Sequence, residues 1–199
     1  KSLPMQNSKS DIDRRRRRRQ RRTQVIIIYS AIAVGLAWFF ESQATTTVIF
    51  VRHAEKIVTD ADDPELTEAG RQRAEALARQ LVDADVVAGV DAIYATPYRR
   101  TEATAQPTAI ALGLPITSYD AANTENIMDE IVKEHKGRII LVVGHRRSLA
   151  ALIGNMGASK KVPKIDENEY DNIYIVSIPW FGKTKTIRLR YGAPYVPAS

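Results

Sequence analysis

Sixteen consecutive residues without a charge, Val25 to Phe40, follow closely on a block in which eight of the nine positions from Arg14 to Arg22 are arginine. No amphipathic period runs through the apolar stretch, so it offers no single stripe to the core of a soluble domain. A basic block against an apolar block is the pattern of a helix that enters a membrane with its basic end on the cytoplasmic side. As a helix the run is about 24 Å long, slightly short of the ~20 residues usual for a crossing. Thr23, Gln24 and the residues after Phe40 extend it, and Trp38 and Phe39 suit the far interface. The chain is therefore read as a basic cytoplasmic tail over 1–23, a transmembrane signal anchor over 24–41 and a folded domain over 45–199 on the extracytoplasmic side.

Other readings of this segment were weighed. A block of like charge is often a solvated, disordered run. It can be an arginine-rich arm for nucleic acid, but such arms seldom abut an apolar run. A cleaved signal peptide would use Ser42-Gln43-Ala44 as its small-x-small site, yet the apolar run is longer than most signal cores. The expected partners are thus bilayer lipid through 24–41, anionic headgroups through the arginines and a larger membrane complex, with no nucleic acid. The charge distribution agrees. Residues 1–24 hold ten basic and two acidic residues and carry +8, so the rest of the chain carries −2 of the net +6. Cysteine is absent, so neither disulfides nor thiolate chemistry is available.

Past residue 45 the pattern changes to short apolar runs alternating with helical periodicity. Strands are expected near Thr47–Val51, Ala92–Ala95, Pro115–Ser118 and Ile139–Val143. Thr67 is a natural N-cap for a helix to about Ala84. Its apolar stripe is Ala74, Leu77, Ala78, Leu81 and Val82, with Arg71, Arg73, Glu75 and Arg79 on a solvated face. A second helix reaches Leu112 and stops at Gly113, with a kink or late start at Pro107. Helices over Thr124–Glu134 and Ser148–Met156 follow. His135, beside Lys136-Gly137, reads as a C-terminal helix charge. Lys160-Lys161 to Glu169 is a charged loop, and Asp60, Asp62 and Asp63 belong to a solvated loop rather than a calcium loop. Tyr170–Ile178 and Lys185–Tyr191, around Pro179-Trp180-Phe181-Gly182-Lys183, form an antiparallel edge hairpin. The alternation predicts a three-layer α/β/α sandwich with a mainly parallel sheet, preceded by the single transmembrane helix.

Three of the apolar runs end in chemistry. Val48–Val51 leads into Arg52-His53-Ala54-Glu55. Ala92–Ala95 leads into Thr96-Pro97-Tyr98-Arg99-Arg100-Thr101, and Ile139–Val142 into Val143-Gly144-His145. Ligands of open α/β sheets bind at the carboxyl ends of the strands. Arginines and imidazoles converging there, without metal-ligand spacing, describe a phosphate site.

These segments resemble the histidine phosphatase superfamily, the phosphoglycerate-mutase-like group. Arg52-His53-Ala54-Glu55 is similar to its Arg-His-Gly/Ala-Glu signature, and Leu66-Thr67-Glu68-Ala69-Gly70 to its helix entry. Ala95 to Thr101 with Thr104-Ala105 resembles the segment of the second arginine, here Arg100 with Arg99 as neighbour, and Gly144-His145 resembles the second histidine. The likeness runs from about Thr47 to Met156. It implies phosphoryl transfer through a covalent phosphohistidine. His53 attacks phosphorus, Arg52, Arg100 and His145 hold the oxygens, and water hydrolyses the intermediate, with no metal and no cofactor. Glu55 and Asp120 are the candidates for protonating the leaving group. The implied substrates are phosphomonoesters of small molecules or phosphoproteins, or phosphohistidine. The chain departs from the family at Arg146-Arg147, where small polar residues are common. Two guanidiniums at a helix start can enlarge the anion site, crowd it, or pair with Asp166 and Glu167. The alternative function is a catalytically inactive, membrane-anchored binding or assembly subunit that kept the fold.

Overall fold

A computed structural model describes residues 6–42, 45–83, 89–158, 162–179 and 182–196. The chain divides into two compact units, Lys1–Ser42 and Gln43–Ser199.

The first unit is one helix, α1 (Gln6–Ser42). It runs through the arginine block without a break, so that block is helical and not the irregular run of the plainest reading. Arginine is a good helix former, and elongation is favourable once a turn exists. Within Arg14–Phe40 the helix is apolar enough and long enough to cross a membrane. Its apolar side chains, from Val25 to Phe40, are exposed. Of the Ser42-Gln43-Ala44 site, Gln43 and Ala44 lie outside the described residues, as do Lys1 to Met5.

The second unit contains β1 (Thr46–Arg52), α2 (Glu68–Val82), β2 (Ala92–Ala95), α3 (Arg99–Leu112), β3 (Ile116–Ser118), α4 (Thr124–Glu134), β4 (Ile139–Gly144), α5 (Arg146–Asn155), β5 (Asn172–Ile178) and β6 (Lys185–Arg190). One six-stranded sheet has the order β3-β2-β4-β1-β5-β6. β1 to β4 are mutually parallel where they pair, and β5 and β6 join antiparallel at one side. This is the expected sandwich. Alternate residues of β1 point to opposite layers, as strand geometry requires. Val48 and Phe50 pack with Met128 and Ile131 of α4 and Leu149, Leu152 and Ile153 of α5. Ile49 and Val51 pack with Leu77 of α2 and Ala105 and Ala109 of α3. Each such side chain contributes about 1.5–3 kcal/mol when fully buried.

Local chemistry sets the element ends. The Thr67 hydroxyl accepts from the Gly70 amide across 3.0 Å, capping α2. Gly113 ends α3 in the left-handed conformation at φ 65. Three expectations need correction. Pro107 lies within α3, and the helix spans Arg99 to Leu112 around it. The last helix starts at Arg146, two residues early, because extended His145 is its N-cap. Arg73 is not on a solvated face: it is 7% exposed and bonds to Glu55, Tyr191 and Ala193. Ala84, Lys160-Lys161 and Trp180-Phe181 lie outside the described residues.

Candidate active site

The register of the sheet creates the site. Arg52, the last residue of β1, lies opposite Gly144, the last of β4. The strands separate just beyond, where the His53 amide donates to the Gly144 carbonyl across 2.9 Å. The two imidazoles then stand side by side, with ring centroids 5.5 Å apart. Gly144 leaves room for Tyr119, because a Cβ there would come within 2.8 Å of its hydroxyl. On the other side, the Ala54 amide donates to Thr104 Oγ1 at 2.9 Å and ties the turn after His53 to α3.

His53 is 5% exposed. Its Nδ1 lies 2.8 Å from the Ala54 carbonyl oxygen. A carbonyl only accepts, so Nδ1 carries the proton and Nε2 keeps its lone pair. Burial, more than any charge, pushes the His53 pKa down to about 3; the bond to Ala54 opposes this, and Arg52, His145 and Arg100 add to it. His145 is depressed to about 4, again chiefly by burial, then by Arg100 and Arg52, with Asp63 opposing. Both rings are therefore neutral near pH 7. For both rings the neighbouring cations rank behind burial.

A pair of hydroxyls orients His145. Thr101 Oγ1 donates to the carbonyls of Thr96 or Tyr98, 2.8 and 2.7 Å away, so it accepts from Thr96 Oγ1 at 3.0 Å. Thr96 then accepts from His145 Nε2 at 2.9 Å. The ring thus holds its proton on Nε2, and its other nitrogen accepts from the Ser148 amide in the capping box of α5.

Two guanidiniums flank the imidazoles. Arg52 Nη1 donates to the carbonyls of Asp166, Glu167 and Glu169 at 3.1, 2.7 and 3.0 Å. Its guanidinium lies 3.9 Å from the centre of the Tyr170 ring. Arg100, in the first turn of α3, meets Asp63 Oδ1 at 3.3 Å and lies 4.5 Å from the Tyr98 ring centre. In both arginines Nε is buried without a partner. A buried donor left unpaired costs about 1–3 kcal/mol.

The other sequence-derived candidates lie apart from this cluster. Arg99 is exposed; its guanidinium pairs with Glu65, while its amide donates to both Asp63 oxygens at 3.1 Å. The Glu55 carboxylate is held by Arg73 through Nε, 2.9 Å from each oxygen, and through Nη2 at 2.8 Å. Asp120 is exposed, accepts from the Ala122 amide at 2.8 Å and borders a separate polar cavity of about 300 Å³ with Asn123 and Glu130. Arg146 pairs with Glu167 at 3.3 Å. Arg147 is exposed and has no ion pair among the described residues. The third histidine, His135, bonds to the Tyr94 hydroxyl at 2.9 Å, away from the cluster.

Sequence reasoning missed Thr96, Thr101, Tyr98 and Tyr170. A signal existed for the threonines: Thr101, Thr104 and Thr108 recur at helical spacing, and all three are fully buried. Nothing in the sequence around Tyr170 marks it.

Comparison with known proteins agrees with this geometry. The model of the histidine phosphatase superfamily, branch 1, matches residues 48–123. That span includes Arg52, His53 and Arg100 and ends before His145. No curated protein matches the chain. Among solved structures, a protein histidine phosphatase, SixA, in complex with tungstate is 18% identical, with a TM-score of 0.58 over 72% of this chain and 96% of its own. A mycobacterial glucosyl-3-phosphoglycerate phosphatase with inorganic phosphate is 17% identical, with a TM-score of 0.57 over 74% of this chain and 97% of its own. A structure titled mycobacterial hydrolase 2 is 15% identical, with a TM-score of 0.59 over 77% and 94%. At these identities, what the chain shares with them is the fold.

Proposed function

We propose that the folded unit is a phosphatase that works through a phosphohistidine on His53 and is held at a membrane by α1. The observation that carries the reading is the neutral His53 ring, its Nε2 lone pair free, between two guanidiniums with unpaired buried Nε–H groups. Nε2 attacks phosphorus; the N–P bond forms as the ester P–O bond breaks. The free edges of Arg52 and Arg100 hold the equatorial oxygens and balance the charge. Water then attacks phosphorus and releases phosphate and the restored imidazole. These residues supply positioning and charge, which is most of what phosphoryl transfer requires. Glu55 is not the proton donor in this reading. Its carboxylate is occupied by Arg73 through both oxygens and braces the turn after β1. Phosphatases of this fold include a protein histidine phosphatase and a sugar-phosphate phosphatase, so phosphoproteins and small phosphomonoesters are both in scope.

For α1, the reading is a single-pass anchor with the arginines on the cytoplasmic side and residues 45–199 outside. The apolar stretch and the adjacent arginine block support it. In sealed spheroplasts, added protease should reach the domain and spare the tail. A protected domain would overturn this orientation.

The direct assay is hydrolysis of p-nitrophenyl phosphate by the full chain in detergent. Turnover should be accompanied by an acid-labile phosphoenzyme, and His53→Ala should abolish both while the circular dichroism stays native. Wild-type turnover in that variant would refute the mechanism. One observation favours the inactive reading: the Asp63 carboxylate already sits on Arg100 and on the first amide of α3. Phosphate binding without turnover would support it.

A further inference from the structure

We infer that Tyr98 and Tyr170 are specificity-determining residues that select a phosphoryl group carried on a flat aromatic leaving group; this rests on the phosphatase reading above. Each tyrosine covers one of the two guanidiniums, Tyr98 that of Arg100 and Tyr170 that of Arg52. Each also touches one imidazole, with ring centroids 5.0 Å apart for Tyr98 and His145 and 6.0 Å for Tyr170 and His53. The mouth of the site is thus a row of four rings, Tyr170, His53, His145 and Tyr98. Beyond these contacts both tyrosines keep part of their surface exposed, 37% of it in Tyr98. Neither phenol hydroxyl has a hydrogen-bond partner among the described residues. Whatever leaves from phosphorus therefore leaves past aromatic walls. Such walls favour a planar ring by stacking and offer little to the hydroxyls of a sugar or a polyol.

The carboxylates point the same way. Glu55 is bonded to Arg73, Asp63 to Arg100, Glu167 to Arg146 and Glu169 to Arg190. Each is already engaged by a guanidinium, so none of the four is a free side chain aimed at a leaving oxygen. An aromatic oxygen or nitrogen departs without that help, because its ring delocalises the charge.

The test separates stacking from leaving-group acidity. The full chain in detergent is given phenyl phosphate and hexafluoroisopropyl phosphate, whose alcohol is close to phenol in acidity but has no ring. Phenyl phosphate should be preferred roughly tenfold in kcat/KM. Tyr98→Leu and Tyr170→Leu should each erode that preference about three- to tenfold, the span of one aromatic contact. The Tyr→Phe variants should retain it. If wild type treats the two esters alike, or if each leucine variant slows both equally, the tyrosines merely position the arginines and the inference fails. If no ester is hydrolysed, the phosphatase reading fails instead. Stacking is then read from calorimetry with phenylphosphonate and ethylphosphonate. Equal affinities overturn it, and a phenyl preference lost in the leucine variants upholds it.

Discussion

Arg52 and Arg100 differ from Arg99 and Arg146 in where their hydrogen bonds go. The first two reach the imidazoles from strand and helix ends, stack on tyrosines and keep Nε buried and unpaired. Arg99 pairs with Glu65 at the surface, with 63% of its side chain exposed, and Arg146 pairs with the largely exposed Glu167. All four lie within the same short segments of sequence, two as adjacent residues. Sequence position brings a guanidinium to the rim, whereas the direction of the side chain decides whether it is left with a donor to give.

The largest expected effect breaks this comparison at the adjacent pair. Arg100→Ala should cost about 3–4 kcal/mol of transition-state stabilisation, a hundredfold or more in kcat. Arg99→Ala should change it less than threefold, since an exposed ion pair contributes about 0–1 kcal/mol. The reverse ranking in steady-state kinetics would exchange the two roles.

Next in size is the brace behind the site. Glu55→Gln leaves Arg73, which is largely buried, with a weaker partner. It should lower stability by about 2–3 kcal/mol in denaturant titration. If Glu55 were instead the proton donor, the basic limb of the pH–rate profile would vanish in the variant, with stability little changed. Gly70 belongs to the same brace: a Cβ there would overlap the Glu55 carbonyl oxygen, so Gly70→Ala should destabilise comparably.

Much of this was legible in the sequence. Buried strands are short apolar runs, and their carboxyl ends can be counted, so the stretches that hold His53, Arg100 and His145 stand out in the sequence, while the choice of Arg100 over Arg99 rests on the family resemblance. The element order and the edge hairpin followed from the same periodicities. What the sequence hid depends on pairings between distant residues. Arg73 reads as a surface helix residue until Glu55, eighteen positions earlier, is folded beneath it. Tyr170 reads as the first residue of an edge strand until Arg52 passes under its ring. Arg146 and Arg147 read equally as an enlarged anion site, a crowded one or partners of Asp166 and Glu167, and only the fold gives Arg146 to Glu167.

The smallest expected change comes from pH and sharpens the contrast between buried and exposed groups. His53 and His145 titrate at about 3 and 4 in the folded protein against about 6.5 unfolded. Between those values the unfolded chain binds protons that the folded one refuses. The stability gained from neutral, buried imidazoles is thus complete above pH 6.5 and is lost as pH falls toward 4. The slope per histidine is roughly 1.4 kcal/mol per pH unit in the middle of that window. Replacing His53 by Gln removes one such proton, so the variant should lose stability less steeply between pH 6 and 4 as measured by urea midpoints (about one proton's worth of slope). The surface pairs Arg99–Glu65 and Arg146–Glu167 should leave that slope unaltered when their arginines are replaced, because neither arginine is among the charges that shift the two imidazoles. An unchanged slope in His53→Gln would mean that the ring is already protonated, or solvated, in the folded state. The neutral nucleophile would then lose its structural basis.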